Sequence, residues 1–453
     1  MNQSSHISPS PIVPPTGLNP PLAATLTAAA AAVTAVIAGS TPDSVLQGLA
    51  PKLRAGAMDL SYTALRDYGR GDFLLARLTA KRLPDVLVHS LLLVAISRLE
   101  RRPEEAHTVV NQATDAAKEM SNGRYKGVVN GVLRNFLRQR DELLAAADKD
   151  AVAFSRHPAW WINRIRVDHP ASWKEILVAG NSHPPMCLRL SRRRLGAPRS
   201  GPPAMQSTST NWQDSLAQAE IEVRALNEEA FLLTRPMPVE RIPGFAEGLC
   251  SVQDFGAQAA AHLLDVRGGM TVLDACAAPG GKAAHLLELA DIKLTALDID
   301  ARRLARVQSN LERLGLSATL KVGNAANIDS WWDGQPFERI LADVPCTASG
   351  VVRRHPDAKW LRRETDLRKF AKQQAEIIDA LWQTLARGGK MLYCTCSVFD
   401  QENAAQISSF MLRHADAERL PTQLHKSTQS DIELKLLPTA EHDGFYYALL
   451  QKR

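Results

Sequence analysis

The chain has 453 residues, 45% of them hydrophobic and 23% charged, which exceeds what one ordinary core organises and predicts two or three domains of a soluble globular protein. Its 54 Lys and Arg against 48 acids leave a formal charge of +6, an excess that is modest but clustered, and clustered positive charge favours a polyanionic partner. Six cysteines without a Cys-x-x-Cys pair exclude a disulfide scaffold, and no His stands at zinc-ligand spacing from a Cys, so no metal is expected.

Residues 1–21, rich in Ser and Pro, read as a disordered tail. Pro20-Pro21 then opens an Ala-dominated helix. The apolar stretch from Leu22 to Ala38 has no cationic region before it, the first basic residue being Lys52, and is too short and too weakly apolar to span a bilayer. With free thiols besides, a cytoplasmic protein is expected. Up to about residue 150 the period stays helical, with helices over Val86–Leu99, His107–Lys118 and Lys126–Arg138, so 22–150 is expected to be an all-α domain. Residues 151–249 carry Pro158, Pro184, Pro185, Pro198, Pro202 and Pro203, the pair Trp160-Trp161, and five Arg from Arg189 to Arg199. They read as a small α/β module linking two larger bodies.

From about 250 to 453 the period changes. Short β-rich runs (Thr271–Ala275, Leu294–Leu297, Leu320–Val322, Arg339–Ala342, Met391–Cys394) alternate with helical stretches (Lys282–Ala290, Ala301–Leu314, Lys369–Leu385). That alternation predicts a parallel, doubly wound α/β sheet, with ligands outside the carboxyl ends of its strands.

The first strand runs into a turn of small residues, Cys276-Ala277-Ala278-Pro279-Gly280-Gly281, and Lys282 begins a helix. Small residues let a ligand approach the backbone, and the helix N-terminus offers free N–H groups. A phosphate-binding loop is excluded, since Cys276 stands where its first Gly belongs and Ala283 replaces the required Ser or Thr; the dinucleotide fingerprint is also absent. Asp298 closes the second strand, where an acid accepts hydrogen bonds from a ribose diol. A nucleoside without a pyrophosphate suits such a site, and S-adenosylmethionine is the candidate cofactor.

Two thiols fall at neighbouring strand ends, Cys346 in Asp343-Val344-Pro345-Cys346 and Cys396 in Thr395-Cys396-Ser397. Addition of a thiolate to C6 of cytosine breaks its aromaticity and makes C5 nucleophilic, so a thiol here points to methylation at C5. Asp343 suits the group that holds N3 and the 4-amino group of a base turned out of its stack. These residues alone do not decide which thiol attacks. Cys187, Cys250 and Cys394 read as packed strand residues.

With DACAAPGGK at 274–282, ALDID at 296–300, DVPCTASGVVRRHPD at 343–357, YCTCSV at 393–398 and Asp443-Gly444-Phe445-Tyr446, residues 250–453 resemble the RNA cytosine-C5 methyltransferases of the NOL1/NOP2/Sun family. Residues 22–138 resemble the antitermination factor NusB, an all-α RNA-binding fold, through His107-Thr108-Val109-Val110-Asn111 and Val129-Asn130-Gly131-Val132-Leu133-Arg134. The pairing of the two is similar to the B-type group of bacterial 16S ribosomal RNA cytosine-C5 methyltransferases. The resemblance implies a class I Rossmann-like methyltransferase domain, with Cys396 as nucleophile and Cys346 assisting product release; the DNA enzymes use the Pro-Cys thiol instead. It implies a cofactor site lined by Cys276 to Lys282, Asp298, Asn324 and Asp343, and 16S rRNA as partner of a monomeric enzyme. Asn324 stands where the family usually has Asp, and Thr347 where it has Ser.

Between Arg353 and Lys372 stand eight basic residues and three acids, with Trp360 among them. Beside Cys346 this segment is expected to hold RNA phosphates through Arg353, Arg354 and Lys359. Two competing readings remain. One is a non-catalytic RNA-binding assembly factor, which the intact Asp343, Cys346 and Cys396 disfavour. The other is a DNA cytosine methyltransferase, which the Thr-Cys-Ser motif and the NusB-like region disfavour.

Overall fold

The computed structural model describes residues 21–81, 83–193, 205–422 and 432–453. The expected N-terminal tail lies outside this set apart from Pro21, as do Arg194 and Arg199 of the basic run. The chain divides into two compact units, Met1–Ala159 and Trp160–Arg453. Among the described residues, no helix is long and apolar enough to cross a membrane.

The first unit is helical, as its period predicts. Helix Leu22–Ile37 buries Ala28, Ala29, Ala30 and Ala32 beside Leu26 and Val33, small side chains that let neighbouring helices approach closely. Helix Val86–Arg101 starts at Asp85, whose carboxylate accepts from the Leu87 and Val88 N–H groups at 3.0 and 3.1 Å. Helices Ala106–Glu119 and Lys126–Arg138 each bury one apolar stripe. A buried carboxylate fastens this body. Asp67, 2% exposed, takes two bonds from Arg101 and one from Ser97.

The second unit opens with helices Ala159–Asp168 and Trp173–Asn181 and then a four-stranded antiparallel sheet. Its strands are β1 (Cys187–Leu190), β2 (Val223–Ala225), β3 (Ala230–Leu233) and β4 (Cys250–Val252), in the order β2-β3-β1-β4. Trp212 and Leu216 cover it, packed with Phe231 and Leu233.

The larger sheet holds β5 (Thr271–Ala275), β6 (Lys293–Asp298), β7 (Thr319–Val322), β8 (Phe337–Asp343), β9 (Leu385–Thr395), β10 (Ala417–Leu420), β11 (Leu434–Leu436) and β12 (Phe445–Lys452). The order is β10-β12-β9-β8-β5-β6-β7, with β11 on β12. Strands β5 to β9 pair in parallel, as the alternation predicts. The three C-terminal strands are antiparallel to their partners, so the sheet is mixed. A strand that enters without its own helical crossover can lie antiparallel at one side of a parallel sheet. Residues 340–342 of β8, 391–394 of β9 and 445–450 of β12 are buried throughout because helices cover both faces. One core packs helices Phe255–Leu263, Gly281–Leu289 and Ala301–Leu314 on one face, and the other packs Glu364–Thr384 and Ala404–Arg413 on the opposite face.

Candidate active site

The strand order reverses at β5, and the carboxyl ends of β5, β6, β8 and β9 converge there. The turn after β5 owes its shape to two left-handed residues, Cys276 (φ 63°) and Gly280 (φ 98°). A Cβ on Gly280 would meet the Val307 backbone at 3.1 Å, so both conformation and space demand glycine there. The turn is tied to β6, with Ala277 N–H donating to Leu297 O at 2.9 Å and Ala278 N–H to Asp298 Oδ2 at 3.1 Å. Asp298 also accepts from Asp300 N–H at 3.0 Å and is 2% exposed. Its carboxylate is therefore aimed by backbone at the end of β6. Asn324 follows β7, exposed, its Oδ1 accepting from Ala326 N–H at 3.1 Å; that leaves one lone pair and the amide N–H₂ for a ligand.

Lys282 donates to Asp343 Oδ2 at 2.7 Å, and the Cys394 thiol donates to Asp343 Oδ1 at 3.4 Å. Burial opposes the Lys282 charge, yet the adjacent Asp343 carboxylate outweighs it and holds the ammonium pKa well above its ordinary value. Asp274, at the root of the turn, is 1% exposed, and both its oxygens lack a hydrogen-bond partner among the described residues. Burial first, then Asp343, push its carboxyl well above the usual range. The sequence reading placed Asp274 in its motif without a role. Asp298 faces the Arg303 guanidinium at 3.7 Å, and Arg303 also donates to Ala278 O at 3.0 Å. Three carboxylates against Lys282 and Arg303, with Asp274 unpartnered among the described residues, fit a ligand that carries positive charge, as S-adenosylmethionine does at its sulfonium and ammonium groups.

The two thiols are brought together. Cys346 Sγ and Cys396 Sγ lie 3.3 Å apart, both half-buried, after adjacent strands β8 and β9. The hydrogen bond with Cys396, then burial, then charge from Cys396 and Glu402 push the Cys346 thiol well above its ordinary value. The remaining cysteines differ. Cys187, Cys250 and Cys394 are buried, and burial pushes Cys187 and Cys250 up to about 12. Cys276 is also pushed up, by burial first.

Around the thiols lies a polar network that sequence reading missed. Glu402, 0% exposed, accepts from Thr347 N–H (2.9 Å), Thr347 Oγ1 (2.5 Å), Ser397 Oγ (2.6 Å) and Gln374 Nε2 (3.2 Å). Thr347, in place of the family's Ser, keeps the hydroxyl this network uses. The loop after Cys346 is held from the other side by the C-terminal motif. Gly350 N–H donates to Cys396 O and Gly444 N–H to Gly350 O, each at 2.9 Å. A Cβ on Gly350 would sit 2.3 Å from Gly444 O, so only glycine fits.

The basic segment after Cys346 needs correction. Arg353 is 2% exposed and pairs with Asp443, while also donating to Thr439 O at 2.8 Å. Arg354 pairs with Asp443 and with Asp254 at 2.9 Å. Lys359 is 0% exposed and donates to Asn181 Oδ1 at 2.8 Å. These cations pack the thiol loop onto β12 and helix Trp173–Asn181, and Arg353 and Lys359 present no surface to a phosphate. Buried acids at 254 and 443, far away in sequence, drew the two arginines in. Arg363, Arg368, Lys369 and Lys372 are the exposed cations of the segment. Arg189 of the other basic run is likewise internal, bonded to Glu288 at 3.0 and 3.2 Å.

Glu229, His262 and His285 have the spacing of metal ligands among the described residues. His262 Nε2 is 2.5 Å from Glu229 Oε1. Burial, then Arg189, His262 and Arg192, drive the His285 pKa well below its ordinary value. Those guanidinium charges oppose a cation as they oppose a proton, so the cluster reads as a packed neutral histidine.

A mixed sheet with a nucleoside-type turn, acids at its strand ends and paired thiols defines a Rossmann-like methyltransferase, preceded in this chain by a separate helical domain. The comparisons agree. Residues 261–451 match the family described as 16S rRNA methyltransferase RsmB/F, residues 157–198 its ferredoxin-like domain, and residues 28–138 the NusB family. The ribosomal RNA small subunit methyltransferase B of Shewanella oneidensis is 42% identical over 369 residues, 81% of this chain and 82% of its own; that of Yersinia enterocolitica is 39% identical over 426 residues, 92% and 95%. The crystal structure of PH0851 aligns with a TM-score of 0.74 at 21% identity, covering 95% of this chain and 99% of that one, a likeness of fold. A methyltransferase homolog from Pyrococcus horikoshii gives 0.55 at 25% identity, over 67% and 97%. The chain belongs to the RsmB/F family of 16S rRNA methyltransferases, which use S-adenosylmethionine.

Proposed function

We propose that the enzyme methylates carbon 5 of a cytosine in 16S rRNA through a covalent bond between Cys396 and C6 of the base. The observation that carries this reading is the pair of thiols 3.3 Å apart at the ends of adjacent strands, since methylation of an exocyclic nitrogen or a ribose hydroxyl needs no thiol at all. When bound, S-adenosylmethionine supplies an electrophilic methyl group on its sulfonium, close to the turn Cys276–Lys282 and the carboxylates of Asp298 and Asp343.

Cys396 Sγ adds as thiolate to C6, and the electron pair displaced from the C5–C6 double bond makes C5 the nucleophile. Asp343, fixed by Lys282, accepts a hydrogen bond from the 4-amino group of the base so that C5 faces the methyl. Once C5 carries the methyl it loses its proton to water, the double bond re-forms, and Cys396 leaves as thiolate. Cys346, whose thiol is held protonated by its surroundings, assists that release from 3.3 Å away. The exposed cations Arg363, Arg368, Lys369 and Lys372 and the helical unit 22–150 contribute RNA affinity. Bisulfite mapping of 16S rRNA from cells with and without the protein tests the reading. One cytosine should lose its protection from deamination when the protein is missing, and an unchanged map would overturn C5 chemistry.

A further inference from the structure

We propose that Glu402 is a positioning residue for both thiols, its buried carboxylate fastening the loop that carries Cys346 to the loop that carries Cys396 so that both sulfur atoms reach one base. The proposal rests on the two-thiol reading above.

The geometry is specific. Glu402 binds the residue after Cys346 twice, through the N–H and hydroxyl of Thr347, and the residue after Cys396 once, through the hydroxyl of Ser397. Gln374 extends the grip to the residue before Cys346, donating to Pro345 O at 2.9 Å as well as to Glu402. Ser349 Oγ, 2.9 Å from Ser397 Oγ, donates or accepts across the same seam and takes the Val398 N–H at 2.9 Å. The carboxylate is itself held, since Tyr393 OH donates to the Glu402 backbone oxygen at 2.5 Å, and Asn403, the next residue, accepts from Thr395 Oγ1 at 2.6 Å and donates to Ser397 O at 2.9 Å. Two loops that follow separate strands, 50 residues apart in sequence, thus meet on a single side chain. Burial raises the Glu402 carboxyl above its ordinary value, and the hydrogen bonds from Ser397, Thr347 and Gln374 oppose that rise. Four donors converge on it, and a protonated acid would have to surrender an acceptor site to one of them. A charged group sealed this way persists only where every bond is made, which makes the separation of the loops stiff. Reacting atoms need that stiffness, because a displacement of about 1 Å costs on the order of 100-fold in rate.

The test compares Glu402→Ala and Glu402→Gln with the full-length wild type in three measurements. Steady-state methyl transfer should show kcat reduced about 100-fold in the Ala variant, with KM for S-adenosylmethionine close to wild type. Glu402→Gln keeps the length and one acceptor oxygen, so it should recover part of the loss, with kcat settling about tenfold below wild type, the effect of one weakened charge-assisted bond. Disulfide formation between Cys346 and Cys396 under diamide, which takes up the two thiol hydrogens, reads the distance directly. It should slow in the Ala variant and stay near the wild-type rate in the Gln variant, a pattern that general destabilisation does not produce. Calorimetric binding of S-adenosylmethionine checks folding. If Glu402→Ala fails to fold, Glu402→Gln carries the test, and an unchanged kcat there overturns the proposal, as does a wild-type kcat or disulfide rate in a folded Ala variant. Failure of the chemistry is separable. In a Cys346→Ala background the RNA adduct should accumulate, and more slowly with Glu402→Gln added. If adduct forms and Glu402 does not change its rate, this inference alone fails. If neither single Cys variant loses turnover, the covalent reading fails instead.

Discussion

Two carboxylate clusters sit at the same end of the large sheet and are built on opposite terms. Around Lys282, Asp274 has no hydrogen-bond partner among the described residues, and the acids outnumber the ammonium. Around Cys346 and Cys396, Glu402 takes four donors. An unpartnered buried acid is costly and persists where a ligand completes it; a fully bonded one makes the structure rigid. On the function proposed above, the first cluster takes the cationic cofactor, and the second holds the nucleophile Cys396 and its neighbour Cys346 still.

The strongest way to break this contrast is to remove the thiols themselves. Cys396→Ala should abolish turnover, while Cys346→Ala should attack, transfer and then stall as a protein–RNA complex that survives denaturing electrophoresis. The double variant should trap nothing. Adduct from Cys396→Ala and none from Cys346→Ala would exchange the two roles.

At the ligand-completed cluster, Asp298→Ala should weaken S-adenosylmethionine binding by about 1.5–3 kcal/mol, the usual worth of a hydrogen bond to a charged group, with RNA affinity intact. It also frees the N–H groups of Ala278 and Asp300, so the turn itself loosens. Calorimetry with unchanged affinity would remove Asp298 from the cofactor site.

Asp274 sharpens the contrast through pH. Its folded pKa is raised from 3.8, so its contribution to stability is fully present below 3.8 and is lost as pH rises through the raised value. In the cofactor-free protein, Asp274→Asn should therefore gain stability over wild type progressively as pH rises across that window, while binding S-adenosylmethionine less tightly. A stability difference between the two proteins that stays constant at every pH would show that the folded carboxyl titrates like the unfolded one and that its pKa is not raised.

The smallest effect is expected far from both clusters. Cys250→Ser should leave methyl transfer unchanged and lower Tm, because an unpaired hydroxyl in that core costs about 1–3 kcal/mol. Loss of activity without loss of stability would give that cysteine a role its burial denies.

Much of this was legible in the chain. Local signals are strong where one element decides its own form: helix Ala301–Leu314 runs between the residues its pattern predicts, because Asp300 caps its start and Gly315 (φ 66°) ends it. The cofactor turn was legible for the same reason, as glycine and small residues at a strand end have few other uses. The Arg353 and Lys359 roles were misread because composition cannot tell a cation in solvent from one drawn inward by a distant acid or amide. Asp443 stands 90 residues from Arg353, and Asn181 stands 178 from Lys359. Glu402 was missed because nothing within its own segment distinguishes it from a surface glutamate.

The sequence by itself determined the domain order, the parallel strands β5 to β9, the small-residue turn and the presence of two thiols in loop contexts, since each depends on residues close together in the chain. Tertiary structure alone decided that the thiols stand 3.3 Å apart, which acids are satisfied and which are open, and which arginines face inward. Those outcomes depend on groups joined across the fold, where burial strips away water and leaves each charge to find its partner or go without.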